Sequence, residues 1–339
     1  MHFQHDVSLR SYNTFGIDVK ARDFIVFQSA GELAHLFQSV HQLAQDKKLI
    51  LGGGSNVLLT KDFDGYVLRN EIDGIEIVKE DDNYVWVKAG AGVPWHSLVL
   101  FAVNNGWGGV ENMSLIPGSC GAAPMQNIGA YGVELKDVFE SLEAYHILDH
   151  TLVSFNSKDC AFGYRESVFK KLFKDQFVIV SVTLRLNKQP VFHTAYGAIQ
   201  QELEKKKVTD LSVKAISDAV ISIRSSKLPD PAKIGNAGSF FKNPSVTKDL
   251  YVDLKKTFPD LVAFENADGT YKLAAGWLIE QCGWKGYRNG DAGCYPLQAL
   301  VLVNYGQATG AEILHLSEEI QSSVLKKFGV HLEREVNLI

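Results

Sequence analysis

Five consecutive residues, Gly52-Gly53-Gly54-Ser55-Asn56, can turn their backbone N–H groups toward one point, and Ser55 and Asn56 add side-chain donors. A diphosphate is the natural guest of such a nest. No Gly-Lys-Ser/Thr follows, so this is not a Walker loop. Gly90-Ala91-Gly92 is not a dinucleotide fingerprint either, because Pro94 intervenes and Trp95 stands where the third glycine belongs. Taken alone, each segment serves equally well as a tight turn.

The run from Ile116 to Gly132 is small, polar and flexible, with the amides of Gln126 and Asn127 side by side. Such a loop can lie flat against a planar, hydrogen-bonding cofactor, and an ordinary surface loop would not need so many glycines and alanines. Gly235-Asn236-Ala237-Gly238-Ser239-Phe240-Phe241-Lys242-Asn243-Pro244 brings one serine up behind glycines. It has no Gly-x-Ser-x-Gly elbow, which speaks against an acyl-enzyme hydrolase. Arg165, in Phe162-Gly163-Tyr164-Arg165-Glu166-Ser167, reads by itself as half of a surface ion pair.

These segments need elements to hold them. Apolar residues at Leu33, Leu36, Phe37, Val40, Leu43 and Ala44 predict a helix over 31–47. Short strands are expected at 48–51 and 57–60, on either side of the glycine nest. Alternation predicts a strand pair at 72–79 and 84–89. A helix over 93–104 would start at Pro94, which suits a first turn. Strands at 138–148 and 177–186 follow, then a boundary at 187–195. Helices are expected at 209–226, 277–282 and 311–328. Runs of strands between helices indicate α+β rather than regular βα alternation.

The chain has 339 residues, which at about 150 per domain suggests two or three domains. Its apolar content of 46 % is enough to bury a core, so disorder is not expected. Against 34 Lys and Arg stand 39 Asp and Glu, for a net charge of −5, which argues against a nucleic-acid partner but allows a local cationic pocket. Cys120, Cys160, Cys282 and Cys294 show no CxxC spacing, so neither zinc nor a redox dithiol is expected, and no metal site at all. The first ten residues carry His2, His5, Asp6 and Arg10 and read as no signal peptide. The apolar stretches at 98–103 and 299–303 fall far short of the roughly 18 to 20 residues that span a bilayer. A cytoplasmic protein with no membrane partner is expected.

Taken together, Gly52–Asn56, Pro117–Gly132, Tyr164–Ser167, Arg-Ser-Ser-Lys-Leu-Pro-Asp-Pro at Arg224–Pro231, Gly235–Pro244, Ala275–Gly286 and Leu332–Val336 resemble the UDP-N-acetylenolpyruvoylglucosamine reductase (MurB) family. The match runs from Asn13 to Val336 with the motifs in family order. The Tyr196 segment and the long middle region are similar to the longer, type I branch. The resemblance implies an FAD-binding fold of the vanillyl-alcohol-oxidase (PCMH) type in two subdomains plus a C-terminal α+β substrate-binding domain. It divides the chain into 1–69 and 70–205 for FAD (the PCMH-type region covering about 17–188), 206–328 for substrate, and a segment at 329–339 that returns to the active site. It also implies NADPH-dependent reduction of the enolpyruvyl ether of UDP-N-acetylglucosamine to UDP-N-acetylmuramate, a cytoplasmic step of peptidoglycan synthesis, by a monomer.

By the same resemblance, Ser239 is the proton donor, and Arg165 and Glu335 stabilise the enolic intermediate. Gly53, Gly54, Ser55 and Asn56 hold the pyrophosphate of a noncovalent FAD. Ile116, Ser119, Gln126, Asn127 and Ile128 line the flavin, with Arg224 as a further contact. Tyr131, Tyr196, Lys227, Asn243 and Gln298 hold the UDP-sugar. The family usually reads Leu-x-Pro-Glu-Val near its end. Here Leu332-Glu333-Arg334-Glu335-Val336 puts Arg334 in place of the proline, which leaves Glu333 as a near alternative to Glu335. Two rival expectations are a flavin oxidase of the same superfamily acting on an alcohol or sugar, and a nucleotide-binding regulatory protein without turnover. The first would lack the cationic diphosphate site, and the second would not keep Ser239, Arg165 and Glu335 together.

Overall fold

The computed structural model describes residues 3–40 and 42–339. The chain is α+β and splits into two compact units. One consists of Met1–Val7, Ala21–Gly53 and Asp64–Ser226. The other consists of Ser8–Lys20, Gly54–Phe63 and Lys227–Ile339.

The first unit carries two larger sheets. A four-stranded sheet runs in the order Phe3–Ser8, Lys20–Phe27, Phe63–Asn70, Lys48–Leu51. Its last two strands pair in parallel, Lys48 opposite Tyr66. Helix Ala30–Ser39 is capped by the Ser29 hydroxyl, which accepts from Glu32 N–H, while Glu32 accepts from Gln28 N–H. It buries Leu33, Leu36 and Phe37, and Phe37 stacks on Tyr145 at 5.7 Å. The expected helix over 31–47 is thus cut short. Val40 leaves the helical region, and Leu43 reaches the core from a turn bonded back to Val40.

A five-stranded antiparallel sheet follows in the order Thr151–Asn156, Phe139–His146, Phe177–Asn187, Tyr84–Gly90, Ile75–Glu80. Its central strand, Phe177–Asn187, is buried along most of its length, as a strand covered on both faces must be. Helix Trp95–Asn104 packs into the same core. Pro94 is its N-cap rather than a first-turn residue, and its carbonyl accepts from Ser97 and Leu98. The helix expected from 209 begins at Val213 because the Ser212 hydroxyl accepts from Ala215 N–H there.

The second unit pairs Gly235–Ser239, Val301–Asn304, Ala292–Cys294 and Arg288–Asn289 in one antiparallel sheet. A small sheet holds Ser245–Val246, Tyr271–Leu273 and Ala263–Glu265. Helix Gly310–Phe328 starts on a Thr309/Glu312 capping box and ends at Gly329 in the left-handed region. Asn337–Leu338 pairs in parallel with Val57–Leu58. The four cysteines are free thiols. Burial pushes Cys160 and Cys294 up to about 12, as inert core residues should be. Among the described residues no helix is long and apolar enough to cross a membrane.

Candidate active site

In the first unit the glycine nest and the long loop close on each other. A Cβ on Gly53 would come within 2.8 Å of the Gly118 Cα, and one on Gly52 would overlap the Ser119 hydroxyl. Ser119 is buried opposite Pro94, and the ladder bonds on either side run from Trp95 N–H to Gly118 and from Cys120 N–H to Val93. The Ser119 amide therefore points away from the ladder. Ile116 and Ile128 are half-buried against the larger core, and Gln126 closes a 3-10 turn at Pro124–Gln126.

Three residues of this region that are not glycine stand in the left-handed region: Leu115 (φ 59°), Asn127 (φ 43°) and Tyr131 (φ 50°). Arg165 (φ 55°) joins them. Such strain persists only where the surroundings over-determine it. Asn127 is fully buried. Its amide donates to Glu134 (3.1 Å) and to the Gly163 carbonyl (3.0 Å), and its oxygen accepts from Lys136 N–H. Its side chain therefore braces the loop from within. Arg165 donates to the carbonyls of Asn127 (3.3 Å) and Gly129 (2.6 Å).

Arg224 donates to the Leu115 carbonyl and to the Tyr131 hydroxyl, and lies within electrostatic reach of Arg165. Burial lowers the Arg224 pKa, and Arg165 adds to the effect. Burial also raises Tyr131, against the pull of Arg224. Two guanidinium groups in one partly desolvated region are of a kind that would suit an anion. Tyr131 meets Tyr196 edge to face at 5.4 Å, and Tyr196 is half exposed.

Sequence reasoning missed two supports. His96 accepts from Leu115 N–H through Nδ1, so Leu115 is pinned on one side by His96 and on the other by Arg224. Burial, with Arg224 nearby, lowers the His96 pKa, which keeps the ring neutral and able to accept. Asn112 donates to the carbonyls of Tyr131 and His193. Nothing local in the sequence announces either contact.

In the second unit, Gly54 (φ 61°) leaves no room for a side chain, since a Cβ would overlap the Tyr12 carbonyl. Ser239 ends the strand Gly235–Ser239 opposite Val301, just after an irregularity in the register. Glu335 N–H donates to the Phe240 carbonyl at 2.9 Å, and the Asn56 amide donates to the Glu335 carbonyl at 3.2 Å. The Glu335 backbone is thus held between Phe240, the residue after Ser239, and the Asn56 side chain. The Asn243 oxygen accepts from Ala275 N–H at the start of helix Ala275–Gln281, and Gln298 Oε1 accepts from Leu300 N–H. Lys227 is exposed at the end of helix Val213–Lys227.

Whether these residues suit a flavin dinucleotide is tested by the nest itself. The amides of Gly53, Gly54 and Ser55 meet no acceptor among the described residues, as a diphosphate cradle requires. The residues fit the group. Residues 24–152 match the FAD binding domain model, so the fold and site define a flavin-binding oxidoreductase. Residues 230–339 match the model for the UDP-N-acetylenolpyruvoylglucosamine reductase C-terminal domain. The chain is 53 % identical to the UDP-N-acetylenolpyruvoylglucosamine reductase of Amoebophilus asiaticus, over all of both chains. It is 50 % identical to that of Flavobacterium johnsoniae, again over all of both. It belongs to the UDP-N-acetylenolpyruvoylglucosamine reductase family and is an FAD-dependent enzyme. In fold it is similar to the reductase from Thermus caldophilus (TM-score 0.68, 24 % identity, 100 % of this chain and 99 % of that one). A 6-hydroxy-D-nicotine oxidase from Arthrobacter nicotinovorans shares the fold more distantly (TM-score 0.50, 13 % identity, 97 % and 86 % covered).

Proposed function

We propose that the chain reduces the enolpyruvyl ether of UDP-N-acetylglucosamine to UDP-N-acetylmuramate with NADPH, as a cytoplasmic monomer in peptidoglycan synthesis. In this reading residues 1–205 serve FAD, 206–328 serve the UDP-sugar and 329–339 complete the site. Gly53, Gly54, Ser55 and Asn56 hold the diphosphate of a noncovalent FAD. Ile116, Ser119, Gln126, Asn127, Ile128 and Arg224 belong to the flavin side. FAD, when bound, supplies hydride transfer from NADPH to the methylene carbon of the substrate.

Hydride addition to that carbon pushes the π electrons toward the substrate carboxylate. Arg165 stabilises the charge that collects there, and Glu335 shares a proton with it. Ser239 Oγ–H then protonates carbon two, and the methylene carbon has become the methyl group of the lactyl ether. Lys227 meets the substrate diphosphate as a point charge, and Tyr131, Tyr196, Asn243 and Gln298 orient the rest of the nucleotide sugar. The observation that supports this reading most directly is the bond from Glu335 N–H to the Phe240 carbonyl, which brings the Glu335 segment alongside the residue that follows Ser239.

Stopped-flow measurement of the two half-reactions tests it. Ser239→Ala is expected to leave flavin reduction by NADPH near normal. Reoxidation by the enolpyruvyl substrate should fall by about 10² to 10⁴-fold, the usual worth of a positioned general acid. Equal slowing of both steps with FAD still bound would remove Ser239 from this role.

A further inference from the structure

Residues 332–337 form a narrow strip clamped on both sides. Lys242 N–H donates to the Glu333 carbonyl, and Glu335 N–H donates to the Phe240 carbonyl. Phe241 and Arg334 lie between those two bonds as a directly opposed antiparallel pair. The amide of Arg334 is therefore outside the ladder, because the residue between two flanking bonds is the non-hydrogen-bonded one. Side chains alternate along such a strip, so Glu333 and Glu335 share one side and Arg334 takes the other. The contacts agree. Glu333 binds Lys242 Nζ at 2.6 Å, while Arg334 turns to helix Gly310–Phe328.

There the Arg334 Nε donates to Ser317 Oγ at 2.9 Å, and its terminal nitrogen lies 3.7 Å from Glu318 Oε1. Ser317 is fully buried, and its hydroxyl hydrogen goes to the Leu314 carbonyl at 2.6 Å. Its oxygen is thereby oriented as an acceptor for the guanidinium. One turn further along the helix, Gln321 donates to the Leu332 carbonyl at 2.7 Å. The helix thus grips alternate residues of the strip from behind, one by its backbone and one by its side chain.

We propose that Arg334 is a positioning residue for Glu335. Its tie to Ser317 and Glu318 fixes the backbone from which Glu335 projects, as a proline ring at the same position would do by restricting φ. The ladder allows either solution, because position 334 donates no bond to it. The proposal rests on the role given to Glu335 above.

Arg334→Ala and Arg334→Pro in the FAD-loaded enzyme test it. Arg334→Ala should lower the substrate half-reaction at saturating substrate by about 10 to 100-fold, the scale of a sub-ångström to ångström misplacement, with substrate affinity and flavin reduction by NADPH changed by less than about threefold. Arg334→Pro should recover most of that loss. A normal rate in Arg334→Ala, or a soluble Arg334→Pro no faster than Arg334→Ala, overturns the proposal. If Arg334→Pro does not fold, Ser317→Val replaces it, and the proposal then requires the same selective loss of rate. Glu335→Gln separates this from the reading beneath it. If Glu335→Gln keeps the full rate, the role of Glu335 fails. The tie is then judged by hydrogen exchange at the Glu335 amide, which Arg334→Ala must speed up and which unchanged protection would refute.

Discussion

The two units hold their chemical groups by opposite means. In the first, Arg165, Tyr131 and Asn127 sit in left-handed backbone, and Arg165 is steadied by loop carbonyls. In the second, Ser239 and Glu335 stand on extended strips whose register is set by ladder bonds. A loop reaches unusual directions at the cost of strain, and needs braces such as the buried Asn127 and the half-buried His96 to keep them. A ladder fixes position along the chain but offers only two side-chain directions. The loop-held groups have the freer geometry and the ladder-held groups the more repetitive one.

The contrast can be broken most forcefully at Arg165. Arg165→Lys keeps the charge but cannot fork onto both the Asn127 and Gly129 carbonyls, so the substrate half-reaction should drop by about 10² to 10³-fold while FAD content holds. A loss under about threefold would mean that charge alone suffices there. Asn127→Ala removes three hydrogen bonds from a buried site, one of them the acceptor for Lys136 N–H. The urea midpoint should fall by an amount equivalent to about 2 to 4 kcal/mol, and an unchanged midpoint would deny it the bracing role. The smallest effect sharpens the strain argument. Leu115→Gly relieves φ 59° at an exposed side chain, and should raise stability by about 0.5 to 1 kcal/mol. A lower midpoint would show that His96 and Arg224 hold Leu115 there without cost.

The sequence was most informative where glycine was irreplaceable. Gly53 and Gly54 were read as a nest, and both are positions where a Cβ would strike backbone. The paired amides of Gln126 and Asn127 were read alike, yet Asn127 is spent on contacts with Gly163 and Lys136, and the first of these lies 36 residues away. No local pattern encodes such a partner. Arg165 alone looked like a surface ion pair, because its left-handed backbone and carbonyl partners exist only after folding. The helix over 31–47 was overextended for a related reason. Leu43 is apolar because it is buried, and a turn can bury it as well as a helix.

The pairing of Asn337–Leu338 with Val57–Leu58 also sets a timetable for biosynthesis. Thr60 donates to the Ile339 carbonyl 279 residues further along the chain. A ribosome adding about 5 to 20 residues per second leaves Val57–Leu58 unpartnered for roughly 14 to 56 s. The first unit has all its residues once Ser226 is made, whereas the second needs residues as far along as Ile339. During that interval the short strand beside the glycine nest is an open edge on a nascent chain. An unpaired edge of that kind is open to mispairing until its partner arrives.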